Sequence, residues 1–431
     1  MRYPKYKPTG IAWLPEVPEG WEIRPYKSIY GFGKGLPITK ENLVDEGVPV
    51  VSYGQIHSKE NTGISLSDSL LRFVSPSYLE HDPQCLLHIG DMAVADTSED
   101  LDGCGNAVVM DRDGPVFAGY HTIISRIRDS RNAPFLAYVF KCISWRSQIR
   151  IAVHGVKLFS ITKQILAATR FPLPPLPTQR AIVAYLDEKC GKVDRLVAAK
   201  EKEVALLKEL KQSMIAEFVT CGVDHKELNF PTGVFWQPLM PEGWCVKKCR
   251  HVLQKLNRSR PKDAELLVCT NKGTVNKRGD AKIGLVSEDE TIYQGVAAGD
   301  LLIHGMDTWH GAIAVSELDG MCTPVVHVCD SKENKRFVAF CFQNMARGRL
   351  FKLISNGVRQ NTSDFRSWEK VAQLPIVLPP RKEQDRIVSY IEARAAKIDA
   401  AVKGLEREVA ALKEYKQRLI ADVVTGQRKV A

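Results

Sequence analysis

The chain is written twice, and this duplication constrains its fold more than any other feature. Trp13, Pro15, Pro18, Glu19, Gly20 and Trp21 return with the same spacing as Trp236, Pro238, Pro241, Glu242, Gly243 and Trp244, so both copies read W-x-P-x-x-P-E-G-W. GDMAVAD from Gly90 is answered by GDLLIHG from Gly299, and FLAYVF from Phe135 by FVAFCF from Phe337. A Gly-Val pair follows each of the latter (Gly155-Val156, Gly357-Val358). FPLPPLPTQRAIVAYL from Phe171 and LPIVLPPRKEQDRIVSYI from Leu374 close the series. The order is constant while the offset shrinks, which marks a duplication with insertions and deletions in loops.

Each half begins with a block of short apolar runs bounded by Gly and Asp turns. Val48–Val51, Met92–Ala95, Val108–Met110 and Leu301–His304 read as strands. Phe135–Ile143 and Phe337–Met345 read as short amphipathic helices. Both blocks are therefore expected to be α/β (α+β) in class.

Each block then gives way to one long helix. After Pro172, Pro174, Pro175 and Pro177, and again after Pro375, Pro379 and Pro380, proline disappears. Proline suits a helix entrance and not its interior. Thr178 is the expected N-cap of the first helix. The apolar positions then alternate by 4 and 3: Leu186, Cys190, Val193, Val197, Lys200, Val204, Leu207, Lys211, Met214 and Phe218. The second copy runs Ile391, Ala395, Ile398, Val402, Leu405, Val409, Leu412, Lys416, Leu419 and Val423, the same positions shifted by 205. A stripe at a mean of about 3.5 residues is a coiled-coil seam. It is too long for one small domain to cover, so the helices are expected to pair with each other, antiparallel, holding the blocks apart. At 1.5 Å per residue a forty-residue helix spans roughly 60 Å. Three roles stay open for the seam lysines Lys200, Lys211 and Lys416: snorkelling to the edge, setting register, or meeting acids. The expected divisions are 1–175, 176–222, 223–378 and 379–431.

A formal charge of +10 favours a polyanionic partner, nucleic acid or an anionic surface. Lys/Arg outnumber acids eight to one over Arg126–Lys163, nine to three over Arg250–Lys282 and eight to two over Lys335–Lys370. Lys and Arg bind phosphates, and Arg, Lys, Asn and Gln read base edges. The candidate contacts are Tyr120, His121, Lys157 and Lys163 in the first half. In the second they are Arg258, Arg260, Lys277, Arg278, Arg359, Gln360 and Asn361.

Catalytic signatures are missing from the sequence. There is no N-P-P-Y or D-P-P-Y tetrapeptide and no G-x-x-x-x-G-K-[ST] phosphate loop. Gly31, Gly33 and Gly35 read as a turn, because the remainder of a dinucleotide fingerprint is lacking. Cys245, Cys249 and His251, and Cys322, His327 and Cys329, do not match zinc spacing, and the cysteines read as core residues. His304 and His310 near Asp307 read as loop histidines. No apolar run reaches 18 residues, so no membrane span is expected. The opening MRYPKYKPTG lacks the apolar core of a secretory signal. Eleven cysteines without framework spacing read as reduced thiols, and a cytoplasmic location is the expectation.

Two blocks alternating with two related helices resemble the specificity subunit of type I restriction–modification enzymes. The carriers are LPPLPTQRAIVAYLDEKCGKVDRL from Leu173 and LPPRKEQDRIVSYIEARAAKIDAA from Leu378, supported by the W-x-P-x-x-P-E-G-W openings, the Gly-Asp strands and the Gly-Val turns. Two departures stand out. Thr178-Gln179 replaces the Glu-Gln kept at Glu383-Gln384, and Lys157-Leu158-Phe159-Ser160 lacks the Gln-Asn pair of Arg359-Gln360-Asn361-Thr362. The resemblance implies that each block is a target recognition domain reading half of a split double-stranded DNA site. It implies that the helices serve as a ruler and a dock for two methyltransferase subunits, through which motor-nuclease subunits join. It further implies adenine methylation, with S-adenosylmethionine, ATP and Mg on partner subunits and no cofactor on this chain. The competing readings are a stand-alone DNA nuclease or methyltransferase with degenerate motifs, and a coiled-coil scaffold.

Overall fold

The computed structural model describes residues 2–155, 158–279, 290–355 and 365–430. The chain divides into two compact units: Met1–Lys200 with Arg407–Ala431, and Glu201–Glu406.

Unit 1 opens with a hairpin, Tyr6–Ile11 against Leu14–Pro18. Gly20, at φ +93°, then takes the left-handed turn that delivers Trp21 into the core. The central sheet is antiparallel with four strands in the order Tyr30–Lys34, Thr122–Ile127, Met92–Ala95 and Ala107–Val109. A smaller sheet joins Phe117–Ala118, Val48–Val51 and Arg72–Val74. Ala133–Lys141 and Ile143–Ala152 are two short helices broken at Cys142, whose backbone is extended. The expected single helix Phe135–Ile143 thus begins earlier and stops earlier. Strand Val108–Met110 is likewise shifted by one residue: regular pairing ends at Met92 with Val109, and Met110 bonds both Asp91 and Gly90 in an irregular rung. Arg170–Leu173 pairs with Glu22–Pro25 and returns the chain to its starting edge.

Unit 2 repeats this plan. Its opening hairpin is Phe230–Val234 against Gln237–Met240. Its four-stranded sheet runs Leu253–Lys255, Val326–Ser331, Leu301–His304, Ile313–Val315. The helix Lys335–Arg347 packs on it, capped by the Asn334 side chain. Pro375–Leu378 pairs with Cys245–Lys248 in the register of the first copy.

The long helices are Leu176–Cys221 and Arg381–Val424. The first starts before Thr178, which lies inside it and is not its N-cap. Gln179 and Gln384 explain the motif around each entrance. Each side-chain amide is buried and donates to a proline carbonyl, Pro174 at 2.8 Å and Pro379 at 2.9 Å.

Both helices contribute to both units. The core of unit 1 takes Ile182, Leu186 and Cys190 from the first helix and Leu419, Ile420, Val423 and Val424 from the second. The core of unit 2 takes Met214, Ile215, Phe218 and Val219 from the first, and Ile387, Val388 and Ile391 from the second. Fully burying one such aliphatic side chain is worth roughly 1.5–3 kcal/mol. Each sheet is therefore covered by the head of its own helix and the tail of the other. Packing of each helix on its own block alone does not describe this arrangement.

Between those ends, Val193, Val197 and Val409 form a small core with Leu412 against it in unit 1. Val204, Leu207, Ile398 and Leu405 are half-buried, and Val402 is buried. The seam lysines meet acids of the facing helix: Lys200 with Glu408 and Lys416 with Asp194 in unit 1, Lys211 with Asp399 in unit 2. In both units the pairings run in opposite chain directions, so the paired stretches are antiparallel. No helix among the described residues is long and apolar enough to cross a membrane.

Candidate nucleic-acid interface

The Gly-Asp repeat builds the loop end of each sheet. Gly90 and Gly299 adopt φ of +90° and +92°, leaving the following carboxylate almost fully buried. Asp91 accepts from the N–H groups of His88 (2.9 Å) and Ile127 (3.0 Å), and Arg126 closes over it. Asp300 accepts from the Ala297 N–H (2.8 Å), and Arg258 takes the place of Arg126. A buried carboxylate needs such partners. The candidate contact Arg258 is thus engaged with Asp300, whose carboxylate holds it in a fork.

Six residues on, the strand ends at Asp96, where three segments converge. The Asp96 N–H donates to the His121 carbonyl (3.1 Å), and its carbonyl accepts from the Ile161 N–H (2.7 Å). His121, at φ +54°, turns its ring to the Asp96 carboxylate at 3.2 Å. A non-glycine residue held at positive φ is a strained position of the kind that collects at functional sites. Tyr53 packs edge-on against Tyr120 and His121, with ring centroids 5.7 and 5.4 Å away. His57 bridges the Thr97 carbonyl (2.8 Å) and the Asn106 amide (3.1 Å). Phe159–Ser160 pairs with Thr97–Ser98, which carries the chain to exposed Lys163 at the start of the helix Lys163–Ala168. The structure therefore gathers Tyr120, His121 and Lys163 about one strand end. Lys157 lies outside the described residues.

In unit 2 the same strand ends at Gly305, whose N–H donates to the Val325 carbonyl (2.9 Å) and whose carbonyl accepts from the Phe365 N–H (3.1 Å). A Cβ at Gly305 would lie 2.8 Å from the Phe365 oxygen, so the returning chain excludes a side chain where unit 1 has Asp96. Arg359, Gln360 and Asn361 lie outside the described residues. Lys277 is exposed and pairs with Glu265; Arg260 is exposed; Arg278 is half-buried, and its N–H donates to the Leu266 carbonyl. These three belong to a second face of unit 2, on and around the hairpin Leu267–Cys269 and Val275–Lys277.

The histidines and cysteines sort by burial. His304 and His327 are pushed below the ordinary imidazole value by burial, and the Nδ1 of His304 accepts from the Asp307 N–H. Cys249 and Cys322 lie in the core, their thiols pushed up to about 12 by burial. Cys329 is buried beside them, whereas Cys245 is exposed. Among the described residues no group of three His, Cys, Asp or Glu side chains could hold a metal ion.

Sequence reasoning missed Tyr53, His57 and Asn106. No motif marks them; they join the site only through the fold. Asp91 and Asp300 were visible as repeats, but their demand for an arginine partner appears only with the sheet.

A family model described as "Type I restriction modification DNA specificity domain" matches residues 18–206. The chain is 21% identical over 433 residues to the type I restriction enzyme StySPI specificity subunit of Salmonella potsdam, covering 96% of this chain and 90% of the relative. It is 21% identical over 430 residues, with the same coverage, to the EcoKI specificity subunit of Escherichia coli K12. A solved chain from a study of complex assembly and conformational transition in a type I restriction–modification system superposes with a TM-score of 0.66. That likeness, at 17% identity, covers 95% of this chain and 98% of the other, and it supports the fold. With the duplication, the matched domain and relatives aligned over nearly the whole length, the chain is similar to the specificity subunits of type I restriction–modification enzymes.

Proposed function

We propose that the two units each read one half of a split double-stranded DNA site, and that catalysis resides in partner chains. The observation that carries this reading is the repetition of one sheet, with one Gly-Asp turn and one loop end, in two units of a basic chain. Two similar readers suit two half-sites. In unit 1 the reading surface is the Asp96 strand end with Tyr120, His121 and Lys163, extended by Lys157. In unit 2 it is the Gly305 strand end with Arg359, Gln360 and Asn361, together with the separate face that carries Arg260, Lys277 and Arg278. Arg258 serves the second surface indirectly, by holding the Asp300 turn.

The long helices pair as an antiparallel coiled coil, fix the separation of the readers and dock two methyltransferase subunits, through which motor-nuclease subunits join. S-adenosylmethionine, ATP and Mg belong to those partners, which work in the cytoplasm. Half-sites on one face of the duplex lie about one turn, roughly 34 Å, apart.

The test is a domain exchange. Residues 1–175 are replaced by the corresponding block of another family member, the methyltransferase is co-expressed, and methylated sites are mapped across the host genome. One half of the methylated motif changes and the other stays. A motif that changes in both halves, or in neither, overturns the two-reader model.

A further inference from the structure

Unit 1 holds an open cavity of about 440 Å³ where the first long helix begins. Arg24, Ser28, Arg128, Asn132, Pro174 and Gln179 are among its lining residues. The helix end behind it presents the positive end of a 46-residue dipole. Gln179 is 3% exposed. Its Nε2 donates to the Asn132 Oδ1 (2.9 Å) and to the Pro174 carbonyl, but its Oε1 has no partner. A buried acceptor left unmatched is costly, so such groups usually mark a missing donor.

The second copy shows what this place is built to hold. There, the carboxylate of Glu333 accepts from the Lys247 Nζ at 3.0 Å and from the Gln384 Nε2 at 2.7 Å. The backbone N–H of the next residue, Asn334, donates to the Gln384 Oε1 at 2.8 Å. A carboxylate and the adjoining N–H of one chain segment thus satisfy the glutamine together. Burial works against the Glu333 charge, yet the bonds from Lys247 and Gln384 prevail and hold its carboxyl below the usual range.

The duplication supplies the matching positions in unit 1. Arg24 sits opposite Phe171 as Lys247 sits opposite Ile376, and Gln179 corresponds to Gln384. Arg131 stands before Asn132 where Glu333 stands before Asn334. An arginine cannot supply the carboxylate, and Arg131 turns onto Asp129 with two bonds of 2.9 and 2.8 Å. Arg24 pairs with the neighbouring Glu22 at 2.6 Å. The two lining carboxylates are thereby each matched by an arginine, while the side chain of Arg128 meets only the Lys27 carbonyl among the described residues.

We propose that this cavity binds an acidic peptide segment of a partner polypeptide, its carboxylate on Arg24 and Arg128 and its neighbouring backbone N–H on the Gln179 Oε1. Unit 2 carries the same cradle filled by its own chain, so the docking is one-sided. The site is separate from the proposed DNA-reading surface.

The test uses the full chain labelled with ¹⁵N-glutamine and the peptide acetyl-Ala-Glu-Ala-amide, with acetyl-Ala-Gln-Ala-amide and sodium glutarate as comparisons. The acidic peptide shifts the Gln179 side-chain amide saturably and leaves Gln384 unmoved. In Arg131→Glu, which gives unit 1 the residue that fills unit 2, binding weakens at least tenfold, and the Gln179 amide moves toward the Gln384 position without peptide. Arg24→Gln weakens binding without that movement. No saturable shift, an equal shift from the glutamine peptide, or undiminished binding in Arg131→Glu overturns the proposal. Glutarate matching the peptide in affinity overturns it too, by reducing the site to an anion pocket.

Discussion

Lys141 is mostly buried under the sheet of unit 1, and its amine is pushed down to about 8. Burial is the first cause; Arg146 and Lys416 add to it, and Asp194 opposes them. Among the described residues no carboxylate pairs with this lysine. The second copy solves the same position with Gln343, whose amide donates to the Ile313 carbonyl at 2.7 Å. Because the folded value lies below the unfolded value of 10.5, the folded state gives up this proton first as pH rises. The penalty for the charged amine is therefore fully present below about pH 8, and stability increases between about 8 and 10.5 as it is relieved. Its size is on the order of 3 kcal/mol. Lys141→Gln is expected to stabilise the chain at pH 7 by about 1–2 kcal/mol and to flatten the rise above pH 8. Denaturant unfolding across that range checks both effects, and an unchanged pH profile would remove Lys141 as its source. Gly63 lies against this side chain in its left-handed turn as Gly273 lies against Gln343, so the two copies share the fold around the position and differ only in its charge.

The helix pair matches polar positions as well as apolar ones across its seam. Asp194 and Lys211 in the first helix correspond to Asp399 and Lys416 in the second, at the same shift of 205. Each lysine meets the acid of the other helix at 2.7 Å. The acids are more than half exposed, so each pair is worth about 1 kcal/mol or less. A slip of one heptad would still offer acids, Glu392 or Glu406 to Lys211 and Asp187 or Glu201 to Lys416, so these pairs stabilise the seam without excluding that register. Lys211→Asp is expected to cost about 1 kcal/mol, and Lys211→Asp with Asp399→Lys to restore most of it. A double-mutant cycle that finds no coupling would show that this pair adds nothing to the apolar seam. This is where the sequence was legible and where it was not. The 4-3 spacing of Leu186, Val193 and Val197 announced a long helix and a seam, because period is a local property. The acids that meet Lys200, Lys211 and Lys416 depend on which residue stands across, and that follows only from the pairing. Similarly, Met214 and Phe218 read as more seam, whereas with Ile215 and Val219 they join the core of unit 2. Short helix boundaries failed for a third reason: the break at Cys142 is imposed by packing, with no Gly or Pro to signal it.

At the scale of the whole molecule, duplication gives each unit the same parts in the same order, and the two units use them differently. Asp96 answers Gly305, Arg131 answers Glu333 and Lys141 answers Gln343, so the copies have diverged in charge while keeping their topology. On the proposed function, that division lets the readers diverge while the helices keep the separation between them. The separation is then testable by length alone. Both long helices pass from one compact unit into the other, at Lys200–Glu201 and at Glu406–Arg407. Seven residues inserted at both junctions keep the apolar stripe in phase to within about 20° and lengthen the pair by about 10 Å. At 3.4 Å per base pair this corresponds to about three base pairs. The gap between the methylated half-sites should therefore widen by about three base pairs. If the added rotation of the duplex carries one half-site out of reach, methylation of every site is lost while the methyltransferase still co-purifies with the chain. An insertion at one junction alone throws the pairing out of step and should abolish assembly. Methylation at the original spacing and full rate, with both insertions in place, would mean that the helices do not set the distance, and the reading of this chain as a ruled pair of readers would fail.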